Sequence, residues 1–171
     1  MTALLLALAA ALAVAHSRVV KGVGVLTEAQ VRQLAEKIVS SNGFDIDPNM
    51  LVAIAWIESN FNTAALRLEP HVGADGDASA GIMQTLSSTA QWLATDFGYR
   101  AYAAPSLAEL HDPEVSMYFG AAYIDYLKNK RRDLDTEEKI IRGYNGGPAG
   151  YRRSATLPYW KKYLDAKARF S

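Results

Sequence analysis

The stretch Asp47-Pro48-Asn49-Met50-Leu51-Val52-Ala53-Ile54-Ala55-Trp56-Ile57-Glu58-Ser59 decides how this chain folds. It opens with an aspartate at the N-cap position and a proline at the first helical position, a pairing that starts a helix. From Leu51 to Ile57 every residue is apolar, so this helix has no polar face and belongs at the centre of a core. A carboxylic acid, Glu58, then stands at its end. Taken alone, such a glutamate reads as a helix end reaching solvent, or as half of an ion pair with an arginine such as Arg67.

Working outward, the flanking segments also read as helices. Thr27 with Gln30 forms a capping-box pattern, Val31, Leu34, Ala35 and Ile38 follow at helical spacing, and Asn42-Gly43 ends the run. Ser87-Ser88-Thr89 starts a helix that passes through Trp92 and stops near Gly98. Asp112-Pro113 starts another, whose apolar face carries Val115, Tyr118, Phe119, Ala122, Tyr123, Tyr126 and Leu127. Asp135 with Glu138 predicts a further capped helix through Ile140-Ile141, stopped by Gly146-Gly147-Pro148. Pro158 opens a last helix ending near Arg169. No stretch alternates as a strand and no repeat is visible. The expectation is one all-α domain, with a small irregular or β excursion near residues 67–79.

Composition narrows the function. A chain of 171 residues suits one domain with a proper core. Eighteen basic residues balance eighteen acidic ones, which argues against a nucleic-acid surface. The absence of cysteine removes disulfides, thiol catalysis and a lipid-modified N-terminal cysteine. His16, His71 and His111 are scattered without metal-ligand spacing, and neither a phosphate loop nor a dinucleotide fingerprint occurs. Neither a metal nor an organic cofactor is expected.

Residues 3–15 are unbroken apolar sequence ending in Ala13-Val14-Ala15. They fall short of the ~20 residues a helix needs to cross a bilayer. They match instead the hydrophobic region of a signal peptide with an Ala-x-Ala cleavage site, although Thr2 leaves only the α-amino group as the positive region. The expected organisation is a signal peptide or apolar anchor over 1–15, a linker over 16–26 and the folded domain over 27–171. Export to the periplasm or cell envelope follows. The alternatives are membrane anchoring through 3–15, or an apolar arm in a larger assembly such as a phage particle.

Three short motifs carry the chemistry: Glu58-Ser59-Asn60-Phe61, Gly81-Ile82-Met83-Gln84 and Tyr144-Asn145-Gly146-Gly147. The first offers an acid whose apolar surroundings favour its protonated form. The others set amide and phenol groups beside glycines, where backbone can approach a ligand. Such a set suits protonation of a sugar–sugar oxygen. In this order the trio resembles the soluble lytic transglycosylase (SLT, family 1) domain of the lysozyme-like superfamily, whose pattern runs Glu-Ser, then Gly-Leu-Met-Gln, then Ala-Tyr-Asn-Ala-Gly. Asp112-Pro113-Glu114-Val115 with Gly120-Ala121-Ala122-Tyr123-Ile124 extends the similarity, with Ser116 where the family commonly has asparagine. The resemblance covers roughly residues 47–165.

It implies a mainly α, lysozyme-like fold with two helical lobes around a substrate groove. It implies cleavage of peptidoglycan between MurNAc and GlcNAc, with formation of 1,6-anhydro-MurNAc. Glu58 would act first as acid and then as base, while Ser59, Gly81, Met83, Gln84, Tyr144 and Asn145 would bind substrate. Gly81 would let the chain approach the glutamate, Met83 would form an apolar wall, and Gln84 would offer its amide to an N-acetyl group. Because the net charge is zero, affinity for an anionic wall would come from the groove. Peptidoglycan strands are the expected partner of a monomer that serves wall remodelling, a secretion or conjugation machine, or a phage.

The sequence departs from the family pattern at Gly143 and Gly146, which stand where alanines are usual. The segment between Glu58 and Gly81 is also several residues longer than the pattern, and it carries Glu69, Asp75 and Asp77. These acids read first as a solvated surface loop. Folded over the groove, Asp75 or Asp77 would be a second carboxylate able to activate water, giving an inverting, goose-type-like muramidase. The third reading is a non-catalytic peptidoglycan-binding or structural module on a lysozyme fold.

Overall fold

The computed structural model describes residues 24–73 and 76–171. The expected leader over 1–15, most of the linker and Asp75 lie outside the described residues. Among the described residues, six α-helices and a small sheet make up the fold, confirming the mainly α expectation. They are α1 (Glu28–Asn42), α2 (Pro48–Ser59), α3 (Ser87–Asp96), α4 (Pro113–Lys130), α5 (Glu137–Gly146) and α6 (Leu157–Phe170). No helix among the described residues is long and apolar enough to cross a membrane.

The helix starts follow the local chemistry. Thr27 and Gln30 close a full capping box at α1, and Gly43 ends that helix in the left-handed conformation. Asp47 caps α2 by accepting from the Asn49 amide, and Asp112 caps α4 by accepting from Glu114 and Val115. One start differs from expectation. The cap of α5 is Thr136, whose hydroxyl accepts from the Lys139 amide, while Asp135 forms an ion pair with the Lys139 ammonium.

The apolar run of α2 is wholly buried from Leu51 to Ala55. It packs against α1 on one flank and α6 on another, and touches α4, which is itself buried along most of its length. At its far end Trp56, Phe61 and Phe170 form a cluster of tilted and edge-on rings with centroids 5.3–5.9 Å apart. Each such pair adds roughly 0.5–1.5 kcal/mol beyond the area it buries. The last turn of α6 is thereby clamped to the end of α2.

The excursion expected near 67–79 is a three-stranded antiparallel sheet in the order β1-β2-β3, comprising β1 (Leu66–Glu69), β2 (Asp77–Ala80) and β3 (Thr85–Leu86). Leu66 pairs with Ala80 and Glu69 with Asp77, so β1 and β2 form a hairpin. The chain reaches this sheet from α2 through Asn60 and Phe61, both at positive φ.

Gly143 and Gly81 differ in their surroundings. A Cβ on Gly143, inside α5, would meet its nearest neighbour, Leu134 Cδ1, at 3.4 Å. Gly143→Ala should therefore raise stability by about 0.5–1 kcal/mol, the helical advantage of alanine over glycine, in a denaturant titration. Gly81→Ala should cost about 3 kcal/mol, because its Cβ would overlap the Leu110 carbonyl and the Ser116 side chain at a backbone φ of +75°.

Candidate active site

Glu58 lies in the last turn of α2, where the apolar helix emerges at the wall of a groove of about 640 Å³. One wall comes from the sheet and the start of α3, with Arg67, Glu69, Ser79 and Gln84. The facing wall is the end of α5 and the 3-10 turns that follow it, with Asn145, Gly147 and Arg153. Tyr123 and Tyr144, both nearly buried, join the lining.

The glutamate is held by one strong contact. Tyr159, in the first turn of α6, donates its hydroxyl to Glu58 Oε1 at 2.6 Å. Burial pushes the Glu58 carboxyl up to about 7, well above its usual value. The Tyr159 hydrogen bond and the charges of Arg67 and Lys162 pull in the opposite direction but do not overcome it. Glu58 and Arg67 form no ion pair: Arg67 instead meets Glu69 at 2.8 Å on the same strand. Near neutrality Glu58 can therefore be either proton donor or proton acceptor.

The other residues singled out by sequence divide into two groups. Gln84, Tyr144 and Asn145 line the groove beside Glu58. Ser59, Gly81 and Met83 lie behind it. The Ser59 hydroxyl donates within the protein, to the Ala55 carbonyl at 3.0 Å and the Ile82 carbonyl at 2.9 Å, pinning the Gly81–Gln84 turn to the end of α2. Met83 has no exposed surface and so forms no groove wall; its side chain lies against Gly120. Its backbone is what the site uses, for the Tyr144 hydroxyl donates to the Met83 carbonyl at 2.8 Å. The Met83 amide donates to Ser116 Oγ, which gives this serine a structural task. The close approach that Gly81 permits is to the Leu110 carbonyl and Ser116, not to the glutamate.

Gln84 also departs from expectation. Its backbone sits at a φ of +48°, and its amide nitrogen donates to the Ala65 and Gly81 carbonyls. Its oxygen accepts from Ser79. The side chain thus locks the hairpin to the turn while forming part of the wall, and its amide is already committed within the protein. Asn145, by contrast, is exposed, and its side chain has no hydrogen-bond partner among the described residues.

Asp77 is not a groove carboxylate. It accepts from the Ser88 amide and hydroxyl, filling the capping role at the N-terminus of α3 that no side chain of the helix itself supplies. The lengthened loop instead contributes Glu69 to the groove, already paired with Arg67. Tyr159, Ser79 and Arg153 were not legible as site residues. Tyr159 lies 101 residues from its partner, and nothing in its local sequence separates it from the other tyrosines of the C-terminal part.

Comparison with known proteins bears on the family and the fold. A family model described as the transglycosylase SLT domain matches residues 37–166. No curated protein matches by sequence at a significant level. Among solved structures, the chain is similar to the 70 kDa soluble lytic transglycosylase of Escherichia coli, with 23% identity and a TM-score of 0.64. It is also similar to an inactive mutant of the lytic transglycosylase Slt from Pseudomonas aeruginosa, with 20% identity and a TM-score of 0.62. Each match covers 81% of this chain but 23% of the other, so the chain spans under a quarter of those enzymes. A complex of the 70-kDa soluble lytic transglycosylase with bulgecin A matches at 24% identity and a TM-score of 0.60, over 80% of this chain and 23% of that one. With the family match spanning most of its length, the chain belongs to the transglycosylase SLT domain family.

Proposed function

We propose that this protein cleaves the glycan strands of peptidoglycan as a lytic transglycosylase, with Glu58 as its single acid and base. The observation that carries this reading is the Glu58 carboxyl, raised to about 7 by burial, at the wall of a groove able to take a sugar chain. Membership of the SLT family supports the same reaction class.

The reaction begins with the protonated Glu58 donating to the oxygen that joins MurNAc to GlcNAc. As that bond breaks, positive charge develops at C1 of the muramic sugar and Glu58 becomes a carboxylate. The Tyr159 hydroxyl, at 2.6 Å from Oε1, stabilises this form as it appears. The carboxylate then takes the proton of the 6-hydroxyl, whose oxygen bonds to C1. A 1,6-anhydro ring results, no water is consumed, and the acid is restored. Hydrolysis would need a second carboxylate about 5–9.5 Å away to attack or to activate water. Asp77 is occupied as a helix cap and Glu69 is neutralised by Arg67, which favours the single-acid route. Action on the wall places the working enzyme in the cell envelope.

Glu58→Gln should abolish lysis of peptidoglycan suspensions, a loss of at least about a thousandfold, while wall sedimentation still captures the variant. Undiminished lysis would contradict the assignment. The same substitution tests the burial of the acid. A carboxyl whose folded-state value exceeds its unfolded value contributes most below the unfolded value, and that contribution fades as pH rises through about 7. The Gln variant should therefore melt level with the parent near pH 4 and above it at pH 8.

The pH profile of cleavage supplies another check. The protonated acid is the starting form, so activity should fall as pH rises through about 7. Tyr159→Phe removes a bond that lowers the Glu58 value, so this alkaline limb should move to higher pH even as the maximal rate drops. An unmoved limb would detach Tyr159 from the chemistry.

A further inference from the structure

Arg153 is a cation in the groove without an acidic partner among the described residues. Arg67 is paired with Glu69, and Arg142, behind the same wall, is paired with Glu138. Arg153 makes no such bridge. Its backbone is fixed from several sides: its carbonyl accepts from Arg142 Nη2 at 3.0 Å and from Thr156 Oγ1 at 2.9 Å, and its amide donates to the Gly150 carbonyl. Its guanidinium donates to the Gly146 carbonyl at the end of α5, a favourable place for a cation at a helix C-terminus. The remaining guanidinium N–H groups have no partner among the described residues.

The position of this guanidinium depends on one of the chain's departures from the family pattern. A Cβ at residue 146, where alanine is usual, would lie 2.7 Å from Thr156 Cγ2 and 2.8 Å from Arg153 Nη2. Glycine leaves the space that the guanidinium fills. A protein of zero net charge thus sets an uncompensated, preorganised fork of donors in the groove that holds its raised-pKa acid.

We propose that Arg153, seated by Gly146, is a specificity residue that binds a carboxylate carried by the glycan strand. This rests on the reading of the groove as a glycan site and names which glycans it prefers. Carboxylates reach such a strand in two ways: as the free lactyl group of peptide-stripped muramic acid, or on the peptide attached to it. A guanidinium fork suits either, and a neutral chitin strand satisfies neither.

Binding to the full chain carrying Glu58→Gln separates these sources, because turnover is blocked. Three probes are titrated: a chito-oligosaccharide, a peptide-free MurNAc–GlcNAc strand and a peptide-bearing strand. Adding Arg153→Gln should weaken at least one carboxylate-bearing probe about tenfold while changing chito-oligosaccharide binding by less than twofold. Loss on the peptide-free strand alone assigns the lactyl carboxylate, loss on the peptide-bearing strand alone assigns the peptide, and loss on both shows a fork that accepts either carboxylate. Gly146→Ala, which keeps the charge but displaces it, should reproduce much of the loss. Equal weakening on all three probes, no weakening on any, or no glycan binding by the parent overturns the proposal. Failure of the wild-type chain to cleave, with the selective binding loss intact, would sink the catalytic reading and leave Arg153 as assigned.

Discussion

The site depends on the desolvated carboxyl at the end of α2 and the single hydroxyl that meets it. A helix apolar on every side has to run through the middle of the domain, and its last turn carries Glu58 out of the core to the groove wall. There α6 closes over it, clamped by Phe170 against Trp56 and Phe61, and delivers Tyr159 to one carboxylate oxygen. Burial raises the acid and the tyrosine limits the rise. The balance leaves a group that can both give and take a proton near neutrality.

The second and third motifs serve that geometry mostly from behind. Ser59, Ser116 and Tyr144 reach the Gly81–Gln84 turn from three different helices, each through a backbone atom of the turn. Gln84 then ties the turn to the hairpin wall. Removing any one of these contacts leaves a polar group unpaired in or near the core, where it costs about 1–3 kcal/mol. The wall facing α5 is thus rigid because its motif residues are spent on the protein, and the groups left for substrate are few: Glu58, Asn145, Arg153 and the charged pair on β1.

Much of this was legible in the sequence for local reasons. Thr27 with Gln30, Asp47-Pro48, Asp112-Pro113 and Gly43 mark helix ends by hydrogen bonds made within a few residues, and those ends are where the sequence puts them. The strands escaped detection because Leu66–Glu69 and Asp77–Ala80 are too short for alternation to register, and β1 keeps Leu66 and Leu68 exposed. The groove was legible only as far as its motifs. Asp77 looked like a free carboxylate because its partner, Ser88, meets it only once the hairpin folds back onto α3. Tyr159 and Arg153 become site residues through contacts that no local pattern encodes. Gly146 gave the one hint, as a missing methyl whose space the structure assigns to the guanidinium.

The chemistry then turns on whether one carboxyl is enough. Of the acids on the lengthened loop, Asp77 caps a helix and Glu69 is bound to Arg67, so a water molecule entering the groove finds no free carboxylate there among the described residues. The most direct measurement is the mass of the muropeptides released from purified peptidoglycan by the wild-type chain. Products lighter by one water than their hydrolytic counterparts, carrying the anhydro ring, are what a lone Glu58 acting as acid and then base must yield. Reducing-end products of full hydrolytic mass would contradict it and require a second carboxylate in the groove.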